Sequence, residues 1–178
     1  MEKPMNVTCT KCGVSTYQEI GEPCLYCNIP KKVYILVGVS GSGKTTWTNK
    51  LRCEDEGRYI GVVSSDFFPG LYGENGKFNG HLLPQSHAAC LRNFVGFLLN
   101  SEVDILVVDN TNTTVTEIAP YAALALAYGW ELEIIKFNVD VEVAAKRNVH
   151  GVPEKGVAAQ AARIKQLQLP PWWPVREV

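Results

Sequence analysis

The stretch YILVGVSGSGKTTW, residues 34–47, passes from an apolar run into glycines and then into a lysine followed by two threonines. From Gly38 to Thr45 it matches the pattern G-x-x-x-x-G-K-[ST], whose glycines let successive backbone N–H groups point inward at phosphate oxygens. The apolar run has the length of a buried strand, and a helix is predicted after it, from about Lys44 to Cys53. A glycine-rich turn that merely contains a lysine would not explain this strand and helix. The stretch therefore predicts a phosphate-binding loop.

The chemistry of this loop follows from its last residues. Lys44 is expected to reach the β- and γ-phosphates of a nucleotide, and the Thr45 hydroxyl is expected to ligate Mg²⁺. The N-terminus of the following helix adds a partial positive charge. The motif leaves open whether the phosphate passes to water, to a small molecule or to the end of a nucleic acid. The loop residues predicted to bind the nucleotide are Gly38, Ser40, Gly41, Ser42, Gly43, Lys44, Thr45 and Thr46.

Beyond the loop, apolar runs of strand length alternate with stretches of helical periodicity. This alternation implies a parallel sheet with helices on both faces, which is an α/β fold of the P-loop NTPase or kinase type. The tail LPPWWPVREV contains three prolines and is predicted not to be helical. We expect Trp172 and Trp173 to pack this tail onto the domain, with stacking on bases as the alternative. The predicted strands cover residues 33–38, 59–66, 104–112 and 130–139, and the later helices cover 84–101, 116–129, 140–148 and 153–167.

Length and composition limit the classes of protein. The 178 residues fit one ordinary domain plus a small appendage, and 46% hydrophobic with 20% charged residues is typical of a globular chain. A net charge of −1 gives no global positive field towards nucleic acid, although it does not exclude a local basic patch. No apolar run is long enough to span a bilayer, and the N-terminus lacks the apolar core of a signal peptide. We expect a cytoplasmic protein (in the host cytoplasm if phage-encoded), with no membrane partner and no inferred protein partner.

Two acids follow predicted strands at the edge of the sheet where the phosphate loop lies. Asp109, after the run ILVV, suits a carboxylate that holds the Mg²⁺ shell, and capping of the next turn is the alternative. Asp66, in VVSSDFF, is the candidate base that takes a proton from an acceptor hydroxyl. Its alternative role is that of a helix N-cap. Because the carboxyl ends of parallel strands line the ligand crevice, both acids are expected to flank the phosphate loop.

The remaining pattern favours a small kinase among P-loop proteins. The base-reading motif N-K-x-D of switch GTPases is absent from the sequence, and motor or helicase ATPases need a longer chain. Gly151 and Pro153 interrupt a helical region and predict a mobile lid at about residues 146–156. A kinase needs positive charge over the transferred phosphoryl group, for which Arg147 is the first candidate and Arg163 the second. For each arginine the alternative is a solvated surface charge.

A family resemblance covers roughly residues 33–165. The stretches GVSGSGKTT, SSDFF, GKFN followed by LPQSHAACLRN, VVDNTNTT, YAALALAYGWELEIIKF and KRNVHGVPEKG occur in an order similar to that of phage-type polynucleotide 5′-kinases. The resemblance implies transfer of the ATP γ-phosphate to the 5′-hydroxyl of DNA or RNA. It also implies ATP and Mg²⁺ as cofactors and nucleic acid 5′ ends as partners.

The resemblance also implies roles for single residues. Asp66 would be the general base on the 5′-hydroxyl, and Arg147 would be the lid arginine on the ATP phosphates. Lys44 would complete the catalytic set. The residues implied on the acceptor side are Asp66, His87, Arg92, Asp109, Asn110 and Thr111, and those implied to hold Mg²⁺ are Thr45 and Asp109.

The sequence departs from this family on the acceptor side. Phage enzymes have paired aspartates and then an arginine, whereas here Asp66 is followed by Phe67, Phe68 and Pro69. Two further hypotheses therefore stand beside the polynucleotide 5′-kinase. One is a kinase for another hydroxyl, such as a hydroxymethylated base in DNA, a nucleoside or a small metabolite. The other is a non-catalytic, ATP-gated nucleic-acid adaptor.

Four of the six cysteines fall within the first 27 residues, as two C-x-x-C pairs eleven residues apart. In a reducing compartment this spacing favours tetrahedral thiolate coordination of a structural Zn²⁺ over two disulfides. We expect residues 1–30 to form a zinc ribbon with a β-hairpin in the spacer, and residues 31–178 to form the kinase domain. The ribbon either only folds the N-terminus or also contacts nucleic acid. The predicted zinc ligands are Cys9, Cys12, Cys24 and Cys27.

Overall fold

The computed structural model describes residues 5–9, 15–18, 24, 30–55, 57–73, 76–149 and 151–178. These residues include two short 3-10 helices, at Ser65–Phe67 and Gly80–Leu82. In chain order the elements are β1 Met5–Thr8, β2 Ser15–Gln18, β3 Lys32–Val37, α1 Lys44–Glu54, β4 Ile60–Val63, α2 Leu83–Leu99, β5 Ile105–Val108, α3 Val115–Ala127, β6 Glu131–Lys136, α4 Val141–Arg147, α5 Glu154–Gln166 and β7 Val175–Glu177.

Five of the strands form one parallel sheet in the order β4-β5-β3-β6-β7. This confirms the predicted α/β fold with a parallel sheet flanked by helices. The strand that leads into the phosphate loop, β3, is the central one, and Val33 lies opposite Leu106 on one side and Leu132 on the other. Because β3, β4 and β5 end at the same edge, the loops that follow them meet there.

The core lies on both faces of this sheet, which explains why the strands are almost continuously apolar. On one face Val33, Ile35 and Val37 pack against residues of α2, α3, α4 and α5. On the other face Leu36 and its neighbours pack against α1 through Trp47 and other residues. The four core residues of this second face, Leu36, Ile105, Val107 and Ile135, have no exposed surface. Burying each such side chain contributes roughly 1.5–3 kcal/mol to folding.

The C-terminal tail adds a strand that the sequence did not predict. The N–H of Ile134 donates to the Pro174 carbonyl at 2.8 Å, and the N–H of Val178 donates to the Lys136 carbonyl at 2.9 Å, so β7 extends the sheet beyond β6. Proline is tolerated there because β7 is an edge strand and its prolines precede the ladder. The expectation for the two tryptophans is half correct: Trp173 packs against the core, whereas Trp172 is 74% exposed.

The N-terminal strands β1 and β2 form an antiparallel hairpin in which Asn6 lies opposite Tyr17. The expectation of a hairpin in the cysteine spacer stays a prediction, since much of the spacer lies outside the described residues. Of the two described strands, β2 lies in the spacer and its partner β1 ends at the residue before Cys9.

The zinc prediction lies partly outside the described residues, since these do not include Cys12 and Cys27. Cys9 is half-buried and Cys24 is buried. Within the part of the chain that the structure describes, no group of three or more His, Cys, Asp or Glu side chains is placed to hold a metal ion. The zinc ribbon and its ligands stay a prediction. Of the described helices, none is long and apolar enough to cross a membrane.

Candidate active site

The phosphate loop joins β3 to α1 in the conformation that its glycines permit. Gly41 and Gly43 have φ angles of 81° and 97°, in the left-handed region that side chains disfavour. A Cβ atom on Gly41 would lie 2.1 Å from the Ala144 carbonyl oxygen of α4, so only glycine allows this close approach. The Ser42 hydroxyl is buried in the loop and has no hydrogen-bond partner among the described residues. Such an orphaned donor fits a phosphate oxygen, because buried polar groups are normally paired.

The Lys44 ammonium lies within this loop and is 9% exposed. It donates hydrogen bonds to the carbonyl oxygens of Gly38 at 3.0 Å and Val39 at 2.8 Å. Burial lowers the pKa of Lys44 from 10.5 to about 8, although the negative charges of Asp109 and Asp66 oppose this change. The site therefore holds a cation that is poorly solvated, and a nucleotide phosphate would stabilise it.

The predicted Mg²⁺ ligands come together at the end of β5. The Thr45 hydroxyl donates to Asp109 Oδ2 at 2.9 Å, and Asp109 is 9% exposed. The backbone N–H of Asp109 donates to the Val63 carbonyl at 2.9 Å, which fixes the end of β5 against β4. One hydroxyl and one carboxylate oxygen are hard ligands, and this donor set fits Mg²⁺. ATP-bound Mg²⁺ would be held by Thr45 and Asp109.

Asp66 lies on the 3-10 turn after β4, and its carboxylate is exposed at the same edge of the sheet. The alternative role as a helix cap falls to Ser64, whose hydroxyl accepts from the Asp66 N–H at 3.2 Å. The neighbouring Ser65 is buried and donates to Asn110 Oδ1 through its N–H at 2.8 Å and its hydroxyl at 2.9 Å. The Tyr72 hydroxyl donates to Asp66 Oδ1 at 3.0 Å. The turn thus presents an oriented carboxylate to solvent.

Asn110 and Thr111 hold the ends of the strands together. The Asn110 amide is buried, and besides accepting from Ser65 it donates through Nδ2 to Cys90 Sγ at 3.4 Å. The Thr111 carbonyl accepts from the N–H of Gly38, the first residue of the phosphate loop, at 3.0 Å. These contacts give Asn110 a positioning function inside the protein. Contact of either residue with an acceptor stays a prediction.

The other predicted acceptor residues lie on α2, which packs against the Ser65–Phe67 turn. His87 is half-buried near the start of α2, beside the buried Ser86. Arg92 is exposed and lies two residues from both Cys90 and Phe94, so it lies on the helix face opposite the buried stripe. The structure thus places both residues on the helix that packs against the Asp66 turn, and their contact with an acceptor stays a prediction.

Arg147 is the last residue of α4 and is exposed. The same helix approaches the phosphate loop, because a Cβ on Gly41 would lie 3.0 Å from the Asn148 nitrogen. The connection to α5 is closed by a hydrogen bond from Asn148 Nδ2 to the Val152 carbonyl at 2.7 Å. The start of the expected lid therefore lies against the phosphate loop. Asn148, which follows Arg147 in the chain, adjoins Gly41.

A family model, AAA_33, described as an AAA domain, matches residues 33–168. The chain belongs to the AAA_33 family. Similar solved structures include Kti12 of Chaetomium thermophilum in complex with ADP-AlF3, with 16% identity over 82% of this chain and 88% of that chain and a TM-score of 0.59.

Two further solved structures resemble this AAA_33 chain. A gluconokinase from Sinorhizobium meliloti 1021 has 16% identity, covers 84% of this chain and 83% of that chain, and has a TM-score of 0.52. A chain of the Pnkp1/Rnl/Hen1 RNA repair complex has 16% identity over 77% of this chain but 45% of that chain, with a TM-score of 0.58. At these identities the similarity shows the fold, which is an α/β fold with a five-stranded parallel sheet flanked by helices.

The AAA_33 domain also brings two residues of α5 to the site that the sequence analysis missed or ranked second. Gln160 Oε1 accepts from the Ser40 N–H at 2.8 Å, and Gln160 Nε2 donates to the Ser40 hydroxyl at 3.2 Å. Arg163 Nε donates to the Thr113 hydroxyl at 3.0 Å, beyond the end of β5. The two residues are three apart and therefore share one face of the helix. That spacing is the signal that could have identified them as a pair.

Proposed function

We propose that this protein is an ATP-dependent kinase that transfers the γ-phosphate to a hydroxyl group, namely the 5′-hydroxyl of DNA or RNA. The observation that carries the proposal is the exposed Asp66 carboxylate at the sheet edge, near enough to Lys44 to influence its pKa. Asp109 is bonded to Thr45, so the two acids have different surroundings. One acid is thus suited to the metal and the other to a hydroxyl proton.

The residues divide the work of phosphoryl transfer between them. The phosphate loop binds and orients the nucleotide through its backbone N–H groups, the Ser42 hydroxyl and the Lys44 ammonium. Asp66, oriented by Tyr72, accepts the proton of the acceptor hydroxyl. Arg147, at the start of the lid, supplies positive charge to the phosphates. Bound Mg²⁺·ATP supplies the phosphoryl group together with charge neutralisation on its oxygens.

A polynucleotide acceptor is supported by the ordered series of motifs shared with phage-type 5′-kinases. It is also supported by the similarity of fold to a chain from an RNA repair complex. The test is transfer of label from γ-labelled ATP to 5′-hydroxyl oligonucleotides of DNA and RNA, with 5′-phosphorylated oligonucleotides as the matched control. Label on the 5′-hydroxyl strands alone supports the proposal. Release of labelled phosphate to water without labelled oligonucleotide contradicts it.

A second candidate is a kinase for another hydroxyl. It is favoured by the sequence after Asp66, where Phe67, Phe68 and Pro69 stand in place of the family's second acid and arginine. The same assay therefore includes oligonucleotides with an internal hydroxymethylated base and a blocked 5′ end, and free nucleosides. Transfer to one of these, with none to a 5′ end, replaces the first candidate by the second.

The N-terminal cysteines extend the proposal to a structural Zn²⁺ held by the two C-x-x-C pairs. The burial of Cys24 and the place of Cys9 at the end of β1 support it. We expect one zinc ion per purified chain by elemental analysis. We also expect its loss in the Cys24→Ser variant and its retention in the Cys53→Ser control, since Cys53 is exposed on α1. A wild-type chain that purifies without zinc under reducing conditions and folds normally contradicts this ligand set.

A further inference from the structure

Two aromatic residues, Phe67 and Tyr72, neighbour Asp66, and a third, Phe78, contacts the ring of Tyr72. Phe67 follows Asp66 in the same turn and is 67% exposed. Tyr72 is bonded to Asp66, and its ring contacts that of Phe78 at a centroid distance of 5.8 Å with an interplanar angle of 50°. Phe78 is itself 49% exposed. An exposed aromatic cluster next to a reactive group marks a binding surface, because water-exposed apolar area is unfavourable.

The turn that carries Phe67 is held in place, so its exposure does not result from a loose loop. Ser64 caps the turn, Ser65 is clamped to the buried Asn110, and the N–H of Phe67 donates to the Ser64 carbonyl at 3.3 Å. Phe68, one residue further on, is half-buried. The turn therefore points Phe68 towards the protein and holds Phe67 in solvent next to Asp66.

Tyr72 and Phe78 are also held by backbone pairing. Tyr72 pairs with Phe78 in an antiparallel bridge, and the N–H of Asn79 donates to the Leu71 carbonyl at 2.8 Å. Leu71 has no exposed surface and anchors this pairing in the protein. Lys77 is exposed next to Phe78 and adds positive charge to the same segment.

We propose that Phe67, together with the Tyr72–Phe78 pair that is hydrogen-bonded to Asp66 through Tyr72, forms a stacking site for the nucleobase of the nucleoside whose hydroxyl is phosphorylated. This inference rests on the proposed kinase function and names its acceptor class. Consecutive Cα atoms are 3.8 Å apart, so a hydroxyl at Asp66 brings the base of the same nucleoside within reach of the Phe67 ring. Every base has a π-face, and the positive charge of Lys77 suits the phosphates of a strand. A sugar acid or another acceptor without a ring would leave this cluster unused.

The test measures binding, so that it does not depend on catalysis. A 5′-hydroxyl oligonucleotide with a 3′ fluorophore is titrated by anisotropy in the presence of ADP and Mg²⁺, and is compared with the same strand carrying an abasic 5′-terminal residue. Stacking is worth about 1–3 kcal/mol per base, so the wild type is expected to prefer the complete strand by about 5- to 150-fold. Phe67→Ala is expected to abolish the preference and Phe67→Trp to retain it. Leu99→Ala, which removes a 65% exposed apolar side chain at the far end of α2, should leave the preference unchanged.

The stacking site is refuted if wild type and Phe67→Ala prefer the complete strand over the abasic strand equally, or if the wild type shows no such preference. Failure of the kinase function has a different signature. In that case the wild type shows the Phe67-dependent preference but transfers no label to the oligonucleotide. If label is transferred to the 5′-hydroxyl and Phe67→Ala does not alter the preference for the complete strand over the abasic strand, the kinase function is supported and the stacking site is refuted.

Discussion

The buried Lys44 predicts an unusual dependence of stability on pH in the nucleotide-free protein. Its pKa is about 8 in the folded protein and 10.5 when exposed. Below pH 8 both states hold the proton, and the buried ammonium lowers the stability of the fold. Between about pH 8 and 10.5 only the unfolded chain binds this proton, so the free energy of unfolding rises with pH. The full difference corresponds to roughly 3 kcal/mol, of which roughly 2–3 kcal/mol appears between pH 7 and pH 10.

The assay is urea unfolding of the wild type and of Lys44→Met at pH 7, 8.5 and 10 without nucleotide. Other groups that titrate in this range contribute equally to both proteins and cancel in the difference. We expect the stability of the wild type relative to Lys44→Met to increase by about 2–3 kcal/mol from pH 7 to pH 10. Lys44→Arg is the second control, because a guanidinium stays protonated throughout.

Saturating ADP and Mg²⁺ should suppress this increase in the wild type, because phosphate charges favour the protonated ammonium. The reasoning would be refuted if the difference in free energy of unfolding between wild type and Lys44→Met stayed constant or fell as the pH rises. It would mean that the ammonium is well solvated in the empty loop, and that the loop does not need an anion to stabilise it.

Three other predictions follow from single contacts. Tyr72→Phe keeps the aromatic ring but removes the hydrogen bond to Asp66. Because a hydrogen bond to a charged group is worth about 1.5–3 kcal/mol, this variant should lower kcat about tenfold with an unchanged KM for ATP. An unchanged kcat in steady-state kinetics would show that the bond does not position Asp66. Thr45→Ala should raise the Mg²⁺ concentration for half-maximal activity at least tenfold, measured by Mg²⁺ titration, and an unaltered requirement would exclude Thr45 as a ligand. Gln160→Ala loses both bonds to Ser40 and should destabilise the fold by about 1–3 kcal/mol in urea unfolding, whereas a loss below 0.5 kcal/mol would show that they contribute little.

The parts of the fold that the sequence predicts are those with a strong local signal. Buried parallel strands such as β3 are continuous apolar runs, and the glycines of the phosphate loop specify backbone torsions directly. The strand β7 has neither signal, because it is three residues long, exposed at the edge of the sheet and preceded by prolines. Its place depends on pairing with β6, some forty residues earlier, which no local pattern encodes.

The candidate site shows the same division. Thr45 and Asp109 are each recognisable in their own motif, and the topology of a parallel sheet brings them together. The bond between Gln160 and Ser40 spans 120 residues of chain, and no motif marks Gln160 as a partner of the phosphate loop. Asn110 was expected at the acceptor, but its amide is used to tie Ser65 and Cys90, which only the packing of α2 reveals. Long-range contacts between ordinary polar residues are what the sequence alone does not predict.

The most direct test of the account is the single-turnover rate of phosphoryl transfer to a 5′-hydroxyl oligonucleotide by wild type and by Asp66→Asn. The asparagine keeps the shape of the side chain but cannot accept the hydroxyl proton. We predict a rate lower by about 10²- to 10⁴-fold, with ATP affinity unchanged. Transfer by Asp66→Asn at the wild-type rate, or wild-type transfer to water alone, would contradict a hydroxyl kinase whose base is Asp66.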